Sequence, residues 1–152
     1  GSGFAVDDEG RILTNAHVVE GADAVTVVFP LWKDGKLVMD EAAYATAAKV
    51  RAVVIDRDPN RDLAVLKLDS LPAGTHALPL AAEEPDAGDE VRTIGAFTRG
   101  GDGLVWGAVS GVVRTAGPQD MDPDRRRRAV PVREVLSDAR TNGGNSGAPV
   151  VN

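Results

Sequence analysis

A serine in a glycine-rich turn is the part of this sequence best suited to chemistry. Ser146 lies within the segment Thr141–Pro149, together with Gly143, Gly144 and Gly147. Glycine adopts backbone angles that side chains forbid, so such a turn can leave consecutive N–H groups pointing at one place. Donors arranged in this way stabilise the charge that develops on a carbonyl oxygen under attack. The turn therefore predicts a serine nucleophile beside an oxyanion-binding pair of amides.

A histidine and an aspartate supply the two side chains that a serine nucleophile needs. His17 lies near the end of the apolar segment Ile12–Val19, and Asp62 directly precedes the apolar segment Leu63–Leu68. An imidazole can take the hydroxyl proton when a carboxylate holds its ring in the right tautomer. We expect His17, Asp62 and Ser146, in that order along the chain, to meet at one site.

The wider sequence resembles the bacterial trypsin-like serine peptidases, in particular the HtrA/Deg type. The matching segments follow the family's order along the whole chain: Gly1–Asp7, Gly10–Val19, Asp62–Leu68, Gly88–Val91, Ile94–Gly95, Gly107–Ser110 and Gly144–Gly147. The His, Asp, Ser order is that of the chymotrypsin-like arrangement. The turn around Ser146 is also similar to that of the staphylococcal glutamyl endopeptidases.

The resemblance implies a serine endopeptidase that hydrolyses polypeptide substrates through an acyl-enzyme intermediate. His17, Asp62 and Ser146 would form its triad, and the amides of Gly144 and Ser146 its oxyanion hole, with no metal or cofactor. It allows a PDZ or other domain in the full-length protein and a homo-oligomer, and it favours a periplasmic or secreted location over a cytoplasmic one. A catalytically silent peptide-binding or scaffolding module with the same fold is the alternative, although the intact triad set speaks against it.

The elements that must position these residues are short and β-rich. Apolar runs separated by Gly, Pro and Asp turns predict an all-β fold; they cover residues 24–29, 52–55, 63–68, 91–94 and 105–113. Residues 40–48 fit either a helix or an inserted loop. The resemblance implies two packed antiparallel six-stranded β-barrels of the chymotrypsin type, with the active site between them.

One trypsin-like peptidase domain is expected over residues 1–152. Residues 1–70 would form the first barrel with His17 and Asp62, residues 71–88 a linker rich in Pro and Gly, and residues 89–152 the second barrel with Ser146. Because the family continues past the nucleophile with further strands, we expect the second barrel to be incomplete and its hold on the triad weakened.

Composition limits the partners of the chain. Its 152 residues are 43% hydrophobic and 26% charged, as in an ordinary globular protein. A net charge of −6 argues against nucleic acid as a partner, and no apolar run approaches the roughly 20 residues that cross a membrane. Without cysteine there is no disulfide or thiolate metal site.

Three other segments have weaker functional interpretations. Oxygen-bearing residues alternate over 56–62 as in a calcium loop, but Arg61 and Lys67 occupy the positions of its obligatory Gly and Glu. The glycine-rich segment 99–103 lacks the ending of a phosphate-binding loop, so we expect a turn. The arginine run 125–128 follows several aspartates, which suits a solvated loop or a basic loop open to proteolysis.

Three residues near Ser146 bear on specificity and activation. Ala148 replaces a glycine that is usual in the HtrA type, a change we expect to be tolerated. Asn145 stands where digestive relatives carry an aspartate that pairs with a new N-terminus, so no zymogen cleavage is expected. Arg140 precedes Ser146 by six residues. It either lines the specificity pocket and favours acidic substrate side chains, or points to solvent.

Overall fold

The computed structural model describes residues 1–98, 104–118 and 133–152, which form two antiparallel sheets and a small hairpin. The strands are β1 Phe4–Ala5, β2 Arg11–Thr14, β3 Ala24–Val28, β4 Trp32–Lys33, β5 Lys36–Leu37, β6 Lys49–Asp58, β7 Leu63–Lys67, β8 Glu90–Thr98, β9 Leu104–Pro118, β10 Arg133–Ser137 and β11 Val150–Val151. A 3₁₀-helix covers Ala16–Val19, and the α-helix α1 covers Glu41–Ala45. The all-β prediction is confirmed. The glycine-rich segment 99–103 and the arginine run 125–128 lie outside the described residues.

The first sheet brings the His17 and Asp62 segments together. Its strand order is β1-β2-β7-β6-β3, so β2 and β7 are hydrogen-bonded neighbours. Ile12 pairs with Leu66 and Thr14 with Ala64, and all four of these residues are buried. Alternate residues of a strand face the same side, which explains why the apolar members of both strands share one face.

The core of the molecule described by the structure lies against the first sheet. Its buried members are Ala5, Ile12, Ala16, Val19, Ala52, Ala64, Leu66 and Leu68. Ala16 and Val19 belong to the 3₁₀-helix that follows β2, so the short helix is anchored by its own apolar residues. The His17 backbone between them is thereby held close to the sheet.

The second sheet carries the Ser146 turn. Its strand order is β10-β9-β8-β11, and all of β8 pairs with β9, from Glu90 opposite Val112 to Thr98 opposite Leu104. The last strand, β11, directly follows the turn and pairs with β8. The described residues therefore contain five strands in the first sheet and four in the second, fewer than six apiece.

The connecting segments largely match the sequence pattern. Of the two expectations for residues 40–48, the helix is correct, although α1 is shorter; Asp40 caps it by accepting a hydrogen bond of 3.0 Å from the Ala42 amide. Residues 71–88 contain no helix or strand. They are nonetheless attached to the first sheet, since the Leu78 amide donates to the Ala5 carbonyl at 2.8 Å.

Candidate active site

The pairing of β2 with β7 explains how two residues far apart in sequence come to touch. Because the strands are antiparallel, the end of β2 lies beside the start of β7. His17 follows β2 by three residues, and Asp62 immediately precedes β7. The imidazole Nδ1 of His17 lies 2.8 Å from Oδ2 of Asp62. The sequence-predicted histidine and aspartate are thus in direct contact.

A second hydrogen bond sets the orientation of this pair. The backbone N–H of His17 donates to Oδ1 of Asp62 at 3.0 Å, so both carboxylate oxygens face the same residue. An ionised carboxylate only accepts, which assigns the ring proton to Nδ1 and leaves Nε2 as an acceptor in the neutral ring. The His17 side chain is 53% exposed and that of Asp62 29% exposed. The imidazole is therefore oriented by the protein and still accessible.

Asp62 itself occupies an unusual backbone conformation. Its φ of +58° lies in the left-handed region, which is uncommon for a residue other than glycine. The Asn15 side chain donates to the Asp62 carbonyl at 2.8 Å and supports this conformation from the β2 side. Such strained residues persist where their surroundings hold them, and they are frequent at functional sites.

The turn that leads into Asp62 is organised by another aspartate. The Asp58 carboxylate accepts from the amides of Asn60 and Arg61 at 3.0 and 3.1 Å and from the Arg61 guanidinium at 2.7 Å. The hydrogen bond from the Arg61 side chain holds the pKa of Asp58 below its usual value. Among the oxygen-bearing residues at 56–62, the carboxylate of Asp58 is therefore engaged in stabilising this turn.

The Ser146 turn depends on two left-handed glycines. Gly144 has φ of +99° and Gly147 φ of +84°. The chain folds back twice, since Asn145 N–H donates to the Asn142 carbonyl at 3.2 Å and Ala148 N–H to the Asn145 carbonyl at 2.8 Å. Ser146 is exposed. Within the described ranges, the amides of Gly144 and Ser146 make no hydrogen bond, so both are available as donors.

Ser2 connects this turn to the β2 end that carries His17. Its amide donates to the Ser146 carbonyl at 2.7 Å, and its carbonyl accepts from the Thr14 hydroxyl at 2.6 Å. Thr14 is the last residue of β2. No hydrogen bond joins the Ser146 hydroxyl to His17 in the part of the chain that the structure describes. The contact between Ser146 and His17 therefore stays a prediction.

The remaining sequence candidates lie close to the turn. Arg140 is exposed between β10 and the turn, and it forms no ion pair with another described residue. The side-chain amide of Asn145 is buried, with the residue 8% exposed, and neither its oxygen nor its nitrogen has a partner among the residues described. Sequence reasoning missed Ser2 and Thr14, although both lie inside segments that carry the family resemblance.

A cavity of about 490 Å³ lies between the two sheets, since Ile94 of β8 and Trp106 of β9 line it together with residues of the first sheet. It is largely apolar, and residues such as Phe4, Val25, Phe29 and Leu78 line it. His17, Asp62 and Ser146 do not contribute to its walls. Ser2, Thr14 and Val18 do line it, so the cavity borders the segments that hold the candidate site.

The fold and this site define a class of protein. The trypsin-like peptidase domain matches residues 1–152, and the chain belongs to that family. Its relatives are HtrA-type proteases. A probable periplasmic serine endoprotease, DegP-like, of Halomonas elongata is 33% identical over the whole chain, which covers 27% of that protein. The putative serine protease HhoA of Synechocystis sp. is 35% identical, and the chain covers 34% of it.

Solved structures agree with this assignment. The serine endoprotease from Yersinia pestis superimposes with a TM-score of 0.68 at 27% identity, covering all of this chain and 44% of that one. The chain thus spans about a third of the curated relatives it matches. Among the described residues, no helix has the length and apolar character needed to cross a membrane.

Proposed function

We propose that this chain is the catalytic part of a serine endopeptidase, with Ser146 as nucleophile, His17 as general base and Asp62 as orienting acid. The observation that carries the proposal is the double contact between His17 and Asp62. A solvent-exposed histidine with a carboxylate on both its backbone and its ring is held in one orientation and one tautomer. That arrangement is what proton transfer from a serine hydroxyl requires.

The proposed reaction has two steps, acylation of Ser146 and deacylation by water. Ser146 Oγ attacks the peptide carbonyl while its proton passes to Nε2 of His17. The resulting oxyanion accepts hydrogen bonds from the amides of Gly144 and Ser146. Collapse of this intermediate breaks the C–N bond, and the imidazolium returns the proton to the leaving amine. Water then attacks the acyl-enzyme by the same route and releases the carboxylic acid and Ser146.

The open link between Ser146 and His17 is compatible with this role. Catalytic hydrogen bonds are often long or poorly aligned without substrate and tighten in the Michaelis complex. Both side chains are exposed, so either can change rotamer without disturbing the core. The amides of Gly144 and Ser146 are likewise available to donate hydrogen bonds to a substrate oxygen.

A fluorophosphonate probe and one substitution test the proposal. We expect the probe to label the wild-type chain at Ser146, and Ser146→Ala to abolish labelling and to lower turnover by roughly 10⁴- to 10⁶-fold. The exposed Ser70 provides the matched control, since Ser70→Ala should behave as wild type. A folded wild-type chain that the probe does not label would contradict the proposal and favour the silent peptide-binding module.

We propose further that Arg140 biases cleavage towards acidic substrate side chains. Its guanidinium is exposed near the nucleophile turn and has no described ion partner, so it is free to pair with a carboxylate. Peptides with Glu, Val or Lys before the scissile bond measure this preference. Arg140→Gln should remove the advantage of Glu and leave the rates for Val unchanged; equal rates for Glu and Val in the wild type would reject it.

The relatives support a proposal for the substrates and the compartment. We propose polypeptides as substrates and a periplasmic or secreted location, since the Halomonas relative is described as a periplasmic serine endoprotease. The division into residues 1–70, 71–88 and 89–152 remains our proposal for the organisation of the domain. It is supported by two separate sheets joined by a segment without helix or strand.

A further inference from the structure

Ser2 forms an unusual set of hydrogen bonds outside the triad. The residue is only 9% exposed, and its hydroxyl lies 2.8 Å from the Gly144 carbonyl and 3.0 Å from the Ala96 amide. Its amide donates to the Ser146 carbonyl at 2.7 Å. One side chain and one amide therefore join the N-terminal segment, β8 and the nucleophile turn.

The direction of the Ser2 hydroxyl proton follows from the distances. The hydroxyl accepts from Ala96 N–H, so its single proton has two possible acceptors, the Gly144 carbonyl at 2.8 Å and the Ala96 carbonyl at 3.4 Å. Hydrogen bonds between a hydroxyl and an oxygen are strongest near 2.7–2.8 Å. The proton is therefore donated to Gly144, and the hydroxyl is used in both of its roles.

Two glycines pack so closely against Ser2 that neither position has space for a side chain. A Cβ on Gly147 would lie 2.1 Å from the Ser2 carbonyl oxygen, and one on Gly95 would lie 2.7 Å from the Ser2 hydroxyl. Both distances are far below van der Waals contact. Two glycines, one in the turn and one in β8, thus allow the close approach on which the hydrogen bonds of Ser2 depend.

We propose that Ser2 is a positioning residue for the nucleophile and the oxyanion hole. Its hydroxyl holds the Gly144–Asn145 peptide unit, and its amide holds the Ser146–Gly147 unit. The Asn145–Ser146 unit, which carries the Ser146 N–H, lies between these two anchored units. Rotation of that amide away from the substrate oxygen would break the hydrogen bond from Ala148 N–H to the Asn145 carbonyl, and the anchored units on both sides limit the backbone changes that rotation needs. This role rests on the proposed function of Ser146.

The test compares the turn in wild type and Ser2→Ala by amide hydrogen exchange, in a Ser146→Ala background that needs no activity. The reporters are the amides of Asn145 and Ala148, which close the two turns. We expect both to exchange about tenfold faster in Ser2→Ala, the factor for the loss of one hydrogen bond, while amides of the β2–β7 pair stay unchanged. Ser70→Ala should change neither set.

Kinetics on chains with an intact Ser146 give a second readout. A displaced turn should lower kcat by roughly 10- to 100-fold with KM nearly constant, because the affected groups act in the transition state. A purely structural role would lower the melting temperature and leave kcat of the folded enzyme unchanged. Unchanged turn exchange together with unchanged kcat would overturn the inference.

If Ser2→Ala does not fold, Ser2→Cys can be used in its place. Ser2→Cys keeps the shape of the side chain but forms only weak hydrogen bonds, and the chain has no other cysteine. If neither variant folds, Ser2 belongs to the folding core and the inference is rejected. If wild type is not labelled by the fluorophosphonate but Ser2→Ala still loosens the turn, the proposed function fails while Ser2 remains an anchor of the turn.

Discussion

At the scale of single residues, the site depends on one carboxylate whose two oxygens contact the same histidine. Oδ2 of Asp62 lies 2.8 Å from the His17 ring, and Oδ1 accepts from the His17 amide at 3.0 Å. The ring contact selects the tautomer, and the backbone contact fixes the position of the carboxylate relative to the helix. An amide side chain could keep the shape of Asp62 but would present a donor to His17.

Asp62→Asn therefore tests the orienting role. We expect kcat to fall by about 10⁴-fold with little change in folding, because the wrong ring tautomer is stabilised. Peptide hydrolysis measures the rate, and circular dichroism checks the fold. Asp56→Asn, in the same segment and exposed, is the matched control and should retain full activity. A modest effect of Asp62→Asn, equal to that of Asp56→Asn, would contradict the assignment.

Gly147 of the turn has no room for a side chain. Its φ is +84°, and a Cβ there would lie 2.1 Å from the Ser2 carbonyl oxygen and 2.4 Å from the Thr14 hydroxyl. Gly74 has nearly the same φ, +81°, with no atom within 4 Å of an added Cβ. A comparison of substitutions at Gly147 and Gly74 therefore separates the cost of backbone strain from the cost of steric overlap.

We expect Gly147→Ala to be much more destabilising than Gly74→Ala. Both variants suffer the left-handed strain of roughly 1–2 kcal/mol, while overpacking of about 1–3 kcal/mol or more applies only at Gly147. Urea unfolding measures both free energies. Equal losses in the two variants would show that the turn can move away from Ser2.

At the scale of elements, Asp138 ties the segment after β10 to β9. Its carboxylate accepts from the Val112 amide at 2.7 Å and pairs with the Arg114 guanidinium. The Val112 hydrogen bond, followed by that of Arg114, lowers the pKa of Asp138 below its ordinary value of 3.8. This segment leads directly to Arg140 and the Ser146 turn.

The lowered pKa of Asp138 sets the sign of a pH effect. Its stabilisation is complete above pH 3.8, the ordinary value, and is lost as the pH falls through the lower pKa of the folded state. Asp138→Asn should thus be less stable than wild type at neutral pH, and the difference should vanish in acid. Denaturation at a series of pH values measures it, with exposed Asp8→Asn as control. A difference independent of pH would contradict this account.

At the scale of the whole molecule, the two sheets are joined by contacts of different kinds. Ser2 lies between β8, the Ser146 turn and Thr14 of β2, and it is buried. Arg133 of β10 pairs with Glu84 of the connecting segment, and both side chains are exposed. The Arg133 hydrogen bond lowers the pKa of Glu84. Exposed ion pairs nevertheless contribute little to stability, since solvent screens them.

We therefore expect Arg133→Gln to leave the unfolding midpoint nearly unchanged and any small shift to disappear in high salt. Chemical denaturation at low and high salt provides the measurement. Ser2→Ala is the informative comparison, because it removes buried hydrogen bonds between the N-terminal segment and the second sheet with its turn. A larger loss of stability in Arg133→Gln than in Ser2→Ala would reverse this ranking.

Residue types, their order and the strand pattern could be predicted from the sequence. The apolar run at residues 63–68 located β7, the short β-rich runs indicated the all-β fold, and the segments around His17, Asp62 and Ser146 indicated the family. These features are local, since strand periodicity and turn glycines are encoded within a few neighbouring residues. The contact between His17 and Asp62 was expected from the chemistry that a serine nucleophile needs and from the family resemblance, not from any local pattern that pairs the two residues.

Only the tertiary structure decided what Ser2 does and how Asp62 is held. The partners of Ser2 are Gly144 and Ala96, 142 and 94 positions away, and no local pattern encodes such a pairing. The left-handed backbone of Asp62 and the lack, among the described residues, of a hydrogen bond between Ser146 and His17 are likewise not encoded by any local pattern. Each depends on the register of β2 against β7 and on the packing of one sheet beside the other, which arise only when the whole chain has folded.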